Sequence, residues 1–223
     1  MERPILFNTP MVQAILEGRK TQTRRLVKNR LTIEQAEFEN GNRPNVTLSE
    51  PSLQHYIDND CPYGQVGDLL WVRETFMDLS GTGVEHRDSE GKLQRYAYAT
   101  DCLSGSYSDE LRKDFGLKWT PSIHMPRSAS RILLEITEVR IERLNDISRA
   151  DSVREGIKTF MVDCSRDGLK TAFKDYSSVN NAISRNNPVD SFRTLWESIN
   201  GADSWAVNPW VWVVEFKVKE PQQ

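Results

Sequence analysis

The feature that most limits the fold of this chain is a change of side-chain parity within one apolar stretch of its second half. Ile132, Leu134 and Ile136 share one face of an extended strand, because side chains on a strand alternate with a period of two. Val139 and Ile141 have the opposite parity. Such a switch requires a bulge or a sharp bend, the device by which small barrels turn their corners. We therefore expect a bent strand in a small, mostly antiparallel sheet.

Two further strands are indicated. Residues 69–72 form a short apolar run after a Gly-rich turn, which predicts a short strand. Near the end of the chain, Trp212, Val214, Phe216 and Val218 occupy alternate positions. This alternation predicts a half-buried C-terminal strand that closes the core.

The first helix is predicted to begin with Thr9 as its N-cap and Pro10 at its first position, and to end at Gly18. Residues 18–25, with the sequence GRKTQTRR, follow it directly. This segment combines hydroxyls, an amine and guanidinium groups, which is the chemistry of an anion or nucleotide site. A solvated, charged surface is the alternative.

Two more helices are predicted. Ser148 begins a short helix that presents Glu155 in its last turn and stops at Gly156. Another begins at 187–188 and ends at Gly201. Its apolar residues recur with helical spacing, which predicts a stripe in the core. That stripe consists of Phe192, Leu195, Trp196 and Ile199.

The composition is that of a globular protein, with 38% hydrophobic and 27% charged residues. A net charge of -3 argues against a protein that coats nucleic acid by bulk electrostatics, so any contact with RNA or DNA is expected to be local. Cys61, Cys102 and Cys164 are odd in number and far apart, which disfavours a disulfide framework or a cysteine-rich zinc site and fits a reducing cytosol. The longest apolar run, 210–214, is too short to span a bilayer. We expect no membrane association, no metal and no cofactor.

Three polar, turn-rich stretches near 27–60, 78–118 and 160–187 carry little periodic apolar signal. We expect them to be loops or peripheral hairpins inserted into a single domain, 1–223. Bent strands with helices in the crossovers indicate an α+β fold, a small β-barrel with flanking helices.

The arrangement of these elements resembles the ASCH domain family. The resemblance rests on motifs at both ends and in the middle of the chain: GRKTQTR at 18–24 with Arg25, VGDLL at 66–70, the bent strand leading into 148–156, and VVEF at 213–216. It implies a PUA-like β-barrel and an association with RNA or modified nucleobases. Residues 71–74, 121–127 and 208–210 are similar to the longer ASCH proteins of bacteriophages and prophages, some of which are labelled morphogenetic.

Some small ASCH proteins are N4-acetylcytidine amidohydrolases that use a lysine and a threonine from this motif and a glutamate from a later helix; another is a ribonuclease. The resemblance places these catalytic residues at Lys20, Thr23 and Glu155. It implies a hydrolase that acts on RNA or a modified nucleoside, in the bacterial host cytoplasm if the protein is phage-encoded. This chain is longer than those enzymes, and its insertions either cover the pocket or reshape it.

A threonine hydroxyl is a weak nucleophile and needs a base within hydrogen-bond reach. Lys20 can be that base if burial or its cationic neighbours lower its pKa from about 10.4. Glu155 would then move a proton at the leaving amine or orient Lys20. Lys20 holding a water or the substrate carbonyl stays open, and so does a structural alternative. In that alternative Lys20 and Glu155 form an ion pair and Thr23 only fills a strand.

A second candidate cluster could stack bases on aromatic and guanidinium planes and bind phosphates. It contains Trp119, His124, Arg127 and Arg131. Alternatively, Trp119 packs against the barrel and His124 is a structural histidine. The full set of residues expected to bind substrate or nucleic acid is Arg19, Thr21, Arg24, Arg25, Arg73, Glu74, Trp119, His124, Arg127 and Arg131.

Two rival functions follow from the same residues. A non-catalytic module would recognise a modified base and show saturable binding without turnover. A phage assembly factor would bind capsid or tail proteins and ignore nucleosides. An enzyme would instead release product from N4-acetylcytidine or cut single-stranded RNA.

Overall fold

The computed structural model describes residues 1–27, 50–84, 86–87, 91, 93–102, 104–163, 168–177 and 184–219. These residues form a mixed α+β fold, which confirms the predicted class. The helices in these ranges are α1 Thr9–Leu16, α2 Glu50–Asp60, α3 Tyr107–Asp114, α4 Arg149–Arg154 and α5 Pro188–Asn200. The strands are β1 Glu2–Leu6, β2 Gln22–Leu26, β3 Leu69–Arg73, β4 Phe76–Asp78, β5 His86–Arg87, β6 Leu93–Gln94, β7 Tyr96–Tyr98, β8 Leu133–Arg143, β9 Thr159–Asp163, β10 Leu169–Lys174, β11 Ser184–Arg185 and β12 Trp210–Val218. Residues 28–49 of the first predicted insertion, and Cys164, lie outside the described residues.

The contacts within the chain divide it into two compact units. The first unit comprises Met1–Glu17, Asp68–Glu135 and Val218–Gln223, and the second comprises Gly18–Gly67 and Ile136–Lys217. No finding tests the expectation of a single domain, which stays a prediction.

In the first unit, β1 pairs in parallel with β3, and β3 pairs antiparallel with the start of β8. Two further antiparallel pairs join β4 to β7 and, between them in the chain, β5 to β6. The paired strands β1, β3 and β8 contribute Ile5, Leu70, Val72 and Leu134, all of which are at most 2% exposed. A smaller apolar cluster forms beside them around Phe76.

In the second unit, β12 pairs antiparallel with β2, and β9, β10 and β11 form a separate sheet of three strands. The core of this unit is an apolar cluster that includes Phe192 and Trp196 of α5 and Val211 and Val213 of β12. Phe173 of β10 also belongs to this cluster, so the prediction that 160–187 is peripheral is wrong at this residue. A single large aromatic side chain gives too weak a periodic signal to reveal such a core contact.

The five-stranded sheet has the order β1-β3-β8-β12-β2. Within the described ranges this sheet is open, and its strands do not close into a barrel. The mixed architecture is therefore established, whereas the PUA-like assignment stays a prediction.

The parity change in β8 is confirmed. Leu134 and Ile136 are buried on one parity, and Val139 and Ile141 are buried on the other. Two consecutive exposed residues lie between these pairs. The strand thus turns its apolar face as the sequence predicts.

The predicted half-burial of the last strand is wrong. Residues 211–214 are buried consecutively, so both faces of β12 are covered at this point. In the sheet order, β12 lies between β8 and β2, and strands in the interior of a covered sheet are continuously apolar rather than alternating.

The predicted helices form, with two corrections. The apolar stripe of α5 buries Phe192 and Trp196, but Ile199 in the last turn is 51% exposed and is not core. In α1, the N-cap is Asn8 rather than Thr9, because the Asn8 side-chain oxygen accepts a hydrogen bond from Met11 N at 3.0 Å. The short helix α4 is capped by Ser148 as expected.

Replacing Asn8 with Ala is expected to lower the free energy of unfolding by about 1 kcal/mol, because Met11 N loses its acceptor. Thr9→Ala, at the position that the sequence favours as the cap, is expected to change it by less than about 0.5 kcal/mol. Urea denaturation followed by circular dichroism measures both values. A larger loss for Thr9→Ala than for Asn8→Ala would contradict the observed cap.

Candidate functional site

Two helix ends deliver the predicted lysine and glutamate to one place. α1 is followed by Gly18 and α4 by Gly156, and both glycines have positive φ angles, 71° and 87°. Glycine adopts this conformation without steric penalty, so the chain can turn sharply at each helix end. After Gly18 the chain runs antiparallel to the end of α4, and Lys20 pairs with Glu155 in an isolated β-bridge.

Two predicted binding residues flank this bridge. The main-chain N–H of Thr21 donates to the carbonyl of Arg154 at 2.9 Å. Arg19 donates from Nη1 to the carbonyl of Gly156 at 2.7 Å. The first bond fixes the backbone just after the lysine, and the second holds the Arg19 side chain beside it.

The side chains of Lys20 and Glu155 form a buried ion pair. Lys20 Nζ lies 2.9 Å from Glu155 Oε2 and 2.9 Å from the main-chain oxygen of the same residue. The two side chains are only 1% and 4% exposed. The ion pair of the structural alternative is therefore present.

Arg24 binds the other oxygen of the same carboxylate. Its Nη1 lies 3.0 Å from Glu155 Oε1, and its side chain is fully buried. Its Nε and Nη2 both donate to Glu142 Oε1, the former at 3.1 Å. Glu155 thus accepts from two buried cations, and we call Lys20, Arg24 and Glu155 the Lys20 centre.

The sequence analysis did not identify several further charged residues that surround the Lys20 centre. Arg140 contacts the carboxylates of Glu215 at 2.6 Å, Glu142 at 3.2 Å and Asp151 at 3.4 Å. The available signal was the alternation of Glu138, Arg140 and Glu142 along β8. Alternate residues of a strand share a face, so this pattern indicates a charged stripe.

Burial lowers the pKa of Lys20 from its ordinary value, and the Glu155 carboxylate that accepts from it opposes this shift. The positive charges of Arg25 and Arg24 lower the pKa of Lys20 further. Burial also lowers the pKa of Arg25, against the opposing effect of Tyr63 and Glu155. Arg25 is therefore within electrostatic range of the Lys20 centre.

Thr23 lies in the middle of β2 and is buried. Side-chain alternation places it on the face of β2 opposite to Gln22 and Arg24, together with Arg25. In the described part of the chain, its hydroxyl has no hydrogen bond to the lysine or the glutamate of the Lys20 centre. The structure thus brings two of the three predicted catalytic side chains into contact and leaves the third on the opposite face of the strand.

Gln22 is a polar residue of this region that the sequence analysis missed. Its Nε2 donates to the main-chain oxygen of Asp151 at 3.2 Å, and the residue is fully buried. Its Oε1 is buried and has no hydrogen-bond partner among the residues that the structure describes. The period-two pattern of Lys20, Gln22 and Arg24 would have revealed this face if the segment had been interpreted as extended.

Three basic and aromatic residues of the first unit form a surface cluster. The guanidinium groups of Arg73 and Arg127 lie 5.6 Å and 6.0 Å from the ring centroid of Trp71. Arg73 also donates to the carbonyl of Ile123, and Arg127 lies 2.9 Å from the carboxylate of Glu2. Both predicted binding arginines therefore have partners within this unit.

Arg131 and Glu74 contact each other. Arg131 Nε and Nη2 lie 3.0 Å and 3.2 Å from the two oxygens of Glu74, which is 1% exposed. Arg131 also binds both oxygens of Asp101, at 2.6 Å and 3.0 Å, and its guanidinium lies 3.9 Å from the ring centroid of Tyr98. Thr100 donates to Glu74 at 3.0 Å. This geometry fits a structural ion pair, and a role in binding stays a prediction.

The remaining residues of the second predicted cluster have separate surroundings. Trp119 is half-buried, and Arg112 lies 5.5 Å from its ring centroid. His124 is exposed in a short 3-10 turn, Ser122–His124, so the alternative of a buried structural histidine is wrong. The turn begins after Pro121, its N-cap residue, and leaves this side chain exposed.

Comparison with protein-family models, curated proteins and solved structures found no match for this chain. Within the described ranges, no group of three or more His, Cys, Asp and Glu side chains is arranged to hold a metal ion. None of the helices in the described part of the chain has both the length and the apolar character of a bilayer span.

Proposed function

We propose that this protein is an ASCH-type, PUA-like protein that binds a modified nucleoside or RNA at the Lys20 centre and hydrolyses an exocyclic amide of the N4-acetylcytidine kind. The same proposal places the protein in the cytoplasm of a bacterial host. The observation that carries it is the buried contact of 2.9 Å between Lys20 Nζ and Glu155 Oε2. A catalytic lysine needs a lowered pKa, and burial provides this shift.

The proposed reaction begins at Thr23. Its Oγ bonds to the acetyl carbonyl carbon while neutral Lys20 takes the hydroxyl proton, a step that requires the two side chains, which lie on opposite faces of this segment, to come into hydrogen-bond reach when the substrate binds. The bond between that carbon and the N4 nitrogen then breaks, and the nitrogen receives a proton through Glu155. Water cleaves the resulting acetyl ester, which releases acetate and restores the hydroxyl. The net change is one water consumed for one amide bond broken.

In the proposed reaction, the positive charges around the Lys20 centre stabilise the transition state. A tetrahedral intermediate carries its negative charge on the former carbonyl oxygen, and a fixed cation or N–H stabilises it. Arg25 supplies this charge in the proposal, because it shares the face of β2 with Thr23. Its electrostatic effect on Lys20 supports a position near the reacting groups.

The test is turnover of N4-acetylcytidine, measured by chromatography of the released cytidine. Thr23→Val keeps the size and the strand preference of the side chain but removes the hydroxyl, so turnover is expected to fall about 100-fold or more while stability is retained. Thr23→Ser, which keeps a hydroxyl, is the matched control and is expected to retain measurable turnover. Equal turnover in Thr23→Val and the unchanged protein would contradict the assignment.

One observation favours a second candidate, a non-catalytic module that recognises a modified base. The Lys20 ammonium already has a carboxylate and a carbonyl as acceptors, which stabilises its charged form. Such a module would bind N4-acetylcytidine or short RNA saturably without product. Cleavage of RNA alone would favour a ribonuclease, and association with capsid or tail proteins alone would favour a phage assembly factor.

A further inference from the structure

The first unit contains a cavity that lies outside the Lys20 centre and has no role in the proposed reaction. Its volume is about 140 Å³. Most of its lining comes from the stretch that the sequence analysis treats as an insertion, including Leu79, Leu111 and Leu117, and Met77 just before that stretch also lines it. Met77 is only 7% exposed, so this wall is part of the packed interior.

The size of the cavity limits its occupant. An apolar cavity of about 150 Å³ is large enough for benzene. A single six-membered ring therefore fits here.

The lining favours an aromatic ring over an aliphatic one. Two aromatic side chains, Tyr98 and Trp119, and two sulfur-bearing side chains, Met77 and Cys102, face the cavity. Sulfur atoms and aromatic edges make favourable contacts with an aromatic ring beyond the burial of apolar area. The hydroxyl of Tyr98 donates to the carbonyl of Ala129 at 2.8 Å and is thus engaged elsewhere.

The charged residues in the lining are paired within the chain. Arg112 donates to Asp109 at 3.1 Å and 2.8 Å and to the carbonyl of Leu117 at 2.7 Å. Asp101 is held by Arg131 at 2.6 Å and 3.0 Å. A charged ligand would leave its own charge poorly compensated, because these partners are already satisfied. An uncharged ring meets no such cost.

We propose that this cavity is a binding site for a small molecule that carries one uncharged six-membered aromatic ring. All of the lining residues belong to the first unit. The proposal does not depend on the chemistry of the Lys20 centre, and either can fail alone.

The test follows the methyl NMR signals of the methionines during titration with benzyl alcohol. The chain has five methionines, and a Met77→Leu variant identifies the signal of the one in the cavity. A saturable shift of the Met77 methyl is expected, with little change at Met161, which is 64% exposed on β9. Cyclohexylmethanol, which has the same heavy-atom connectivity but a puckered aliphatic ring, is expected to bind about fivefold more weakly. Benzoate and benzylammonium are expected to bind at least about tenfold more weakly.

Variants that fill the cavity complete the test. Ala97→Leu places three further carbons in the lining and is expected to weaken benzyl alcohol binding at least about tenfold. The control Ala206→Leu, at an exposed position of the second unit, is expected to leave this binding unchanged. If Ala97→Leu does not fold, Ser108→Leu fills the cavity from an exposed position on α3.

Alkylation of Cys102 gives an independent measurement. Benzyl alcohol is expected to slow its reaction with iodoacetamide and to leave the reaction of Cys61, in the second unit, unchanged. The proposal is overturned if the Met77 signal does not saturate, if the filled variants bind as well as the unchanged protein, or if the charged analogues bind equally well.

Discussion

Glu155→Gln is expected to lower the free energy of unfolding by about 3–5 kcal/mol, because it removes the counter-charge of two buried cations. Lys20 and Arg24 each lie within 3.0 Å of this carboxylate, and their side chains are 1% and 0% exposed. Gln keeps the shape of the side chain but offers a single neutral acceptor oxygen. Arg24 retains Glu142, whereas Lys20 loses the Glu155 carboxylate and keeps the main-chain oxygen of residue 155 as an acceptor.

The loss of unfolding free energy caused by Glu155→Gln is expected to become smaller as the pH rises. Without the carboxylate, nothing from Glu155 opposes the lowering of the Lys20 pKa by burial, so this pKa is lower in the variant than in the unchanged protein. Between that pKa and 10.5 the folded variant binds fewer protons than its unfolded chain, and this pH range is therefore wider. Its stability then increases with pH more steeply than that of the unchanged protein. Urea denaturation at pH 6 and at pH 9 measures this difference.

Glu138→Gln is the matched control for that experiment. Glu138 is 55% exposed and lies 3.2 Å from Arg140, so its loss is expected to cost less than about 1 kcal/mol. Similar losses for the two variants would contradict a special role of Glu155 in the buried network.

Arg131→Met is expected to lower the free energy of unfolding by about 3 kcal/mol, because it leaves the Glu74 carboxylate buried without its cation. Glu74 is 1% exposed and would keep Thr100 as a donor. The carboxylate of Asp101, which is 44% exposed, can be rehydrated at little cost. Thermal unfolding and urea denaturation measure the loss.

Two variants distinguish this loss from a general effect of removing an arginine. Arg127→Met removes an arginine that is 46% exposed and pairs with Glu2, which is 43% exposed. This change is expected to lower the free energy of unfolding by less than about 1 kcal/mol. The double variant Arg131→Met with Glu74→Met replaces the whole pair by apolar side chains and is expected to recover most of the stability. A double variant less stable than Arg131→Met would contradict this account.

Local patterns predicted several elements of this fold, but the helices α2 and α3 form in stretches that were predicted to be loops or peripheral hairpins. The parity change in β8 follows from side-chain alternation alone, and Gly18 and Gly156 mark helix ends because glycine tolerates positive φ. The cap of α1 was misassigned by one residue, since Asn8 and Thr9 are both good caps and only geometry selects between them. A helix boundary is set by the capping hydrogen bond, and residue type alone does not show which of two neighbouring good caps makes that bond.

Long-range contacts could not be predicted from the pattern of the residues. The burial of β12 depends on its place between two other strands, which alternation does not reveal. The partners Glu74 and Arg131 are 57 residues apart, and nothing in their local sequence indicates that they pair. The cavity beside Met77 is formed by a stretch with little periodic signal, which favoured the interpretation as a peripheral loop.

The catalytic proposal depends on whether Lys20 can lose its proton in the folded protein. Burial lowers its pKa, so between that pKa and 10.5 the unfolded chain binds more protons than the folded one, and the Lys20 contribution to the free energy of unfolding increases with pH. An NMR titration of the Lys20 side chain, with its signal assigned from a Lys20→Met variant, measures this pKa directly. We expect a midpoint below 10.5, whereas a midpoint at or above that value would contradict the role of Lys20 as the base.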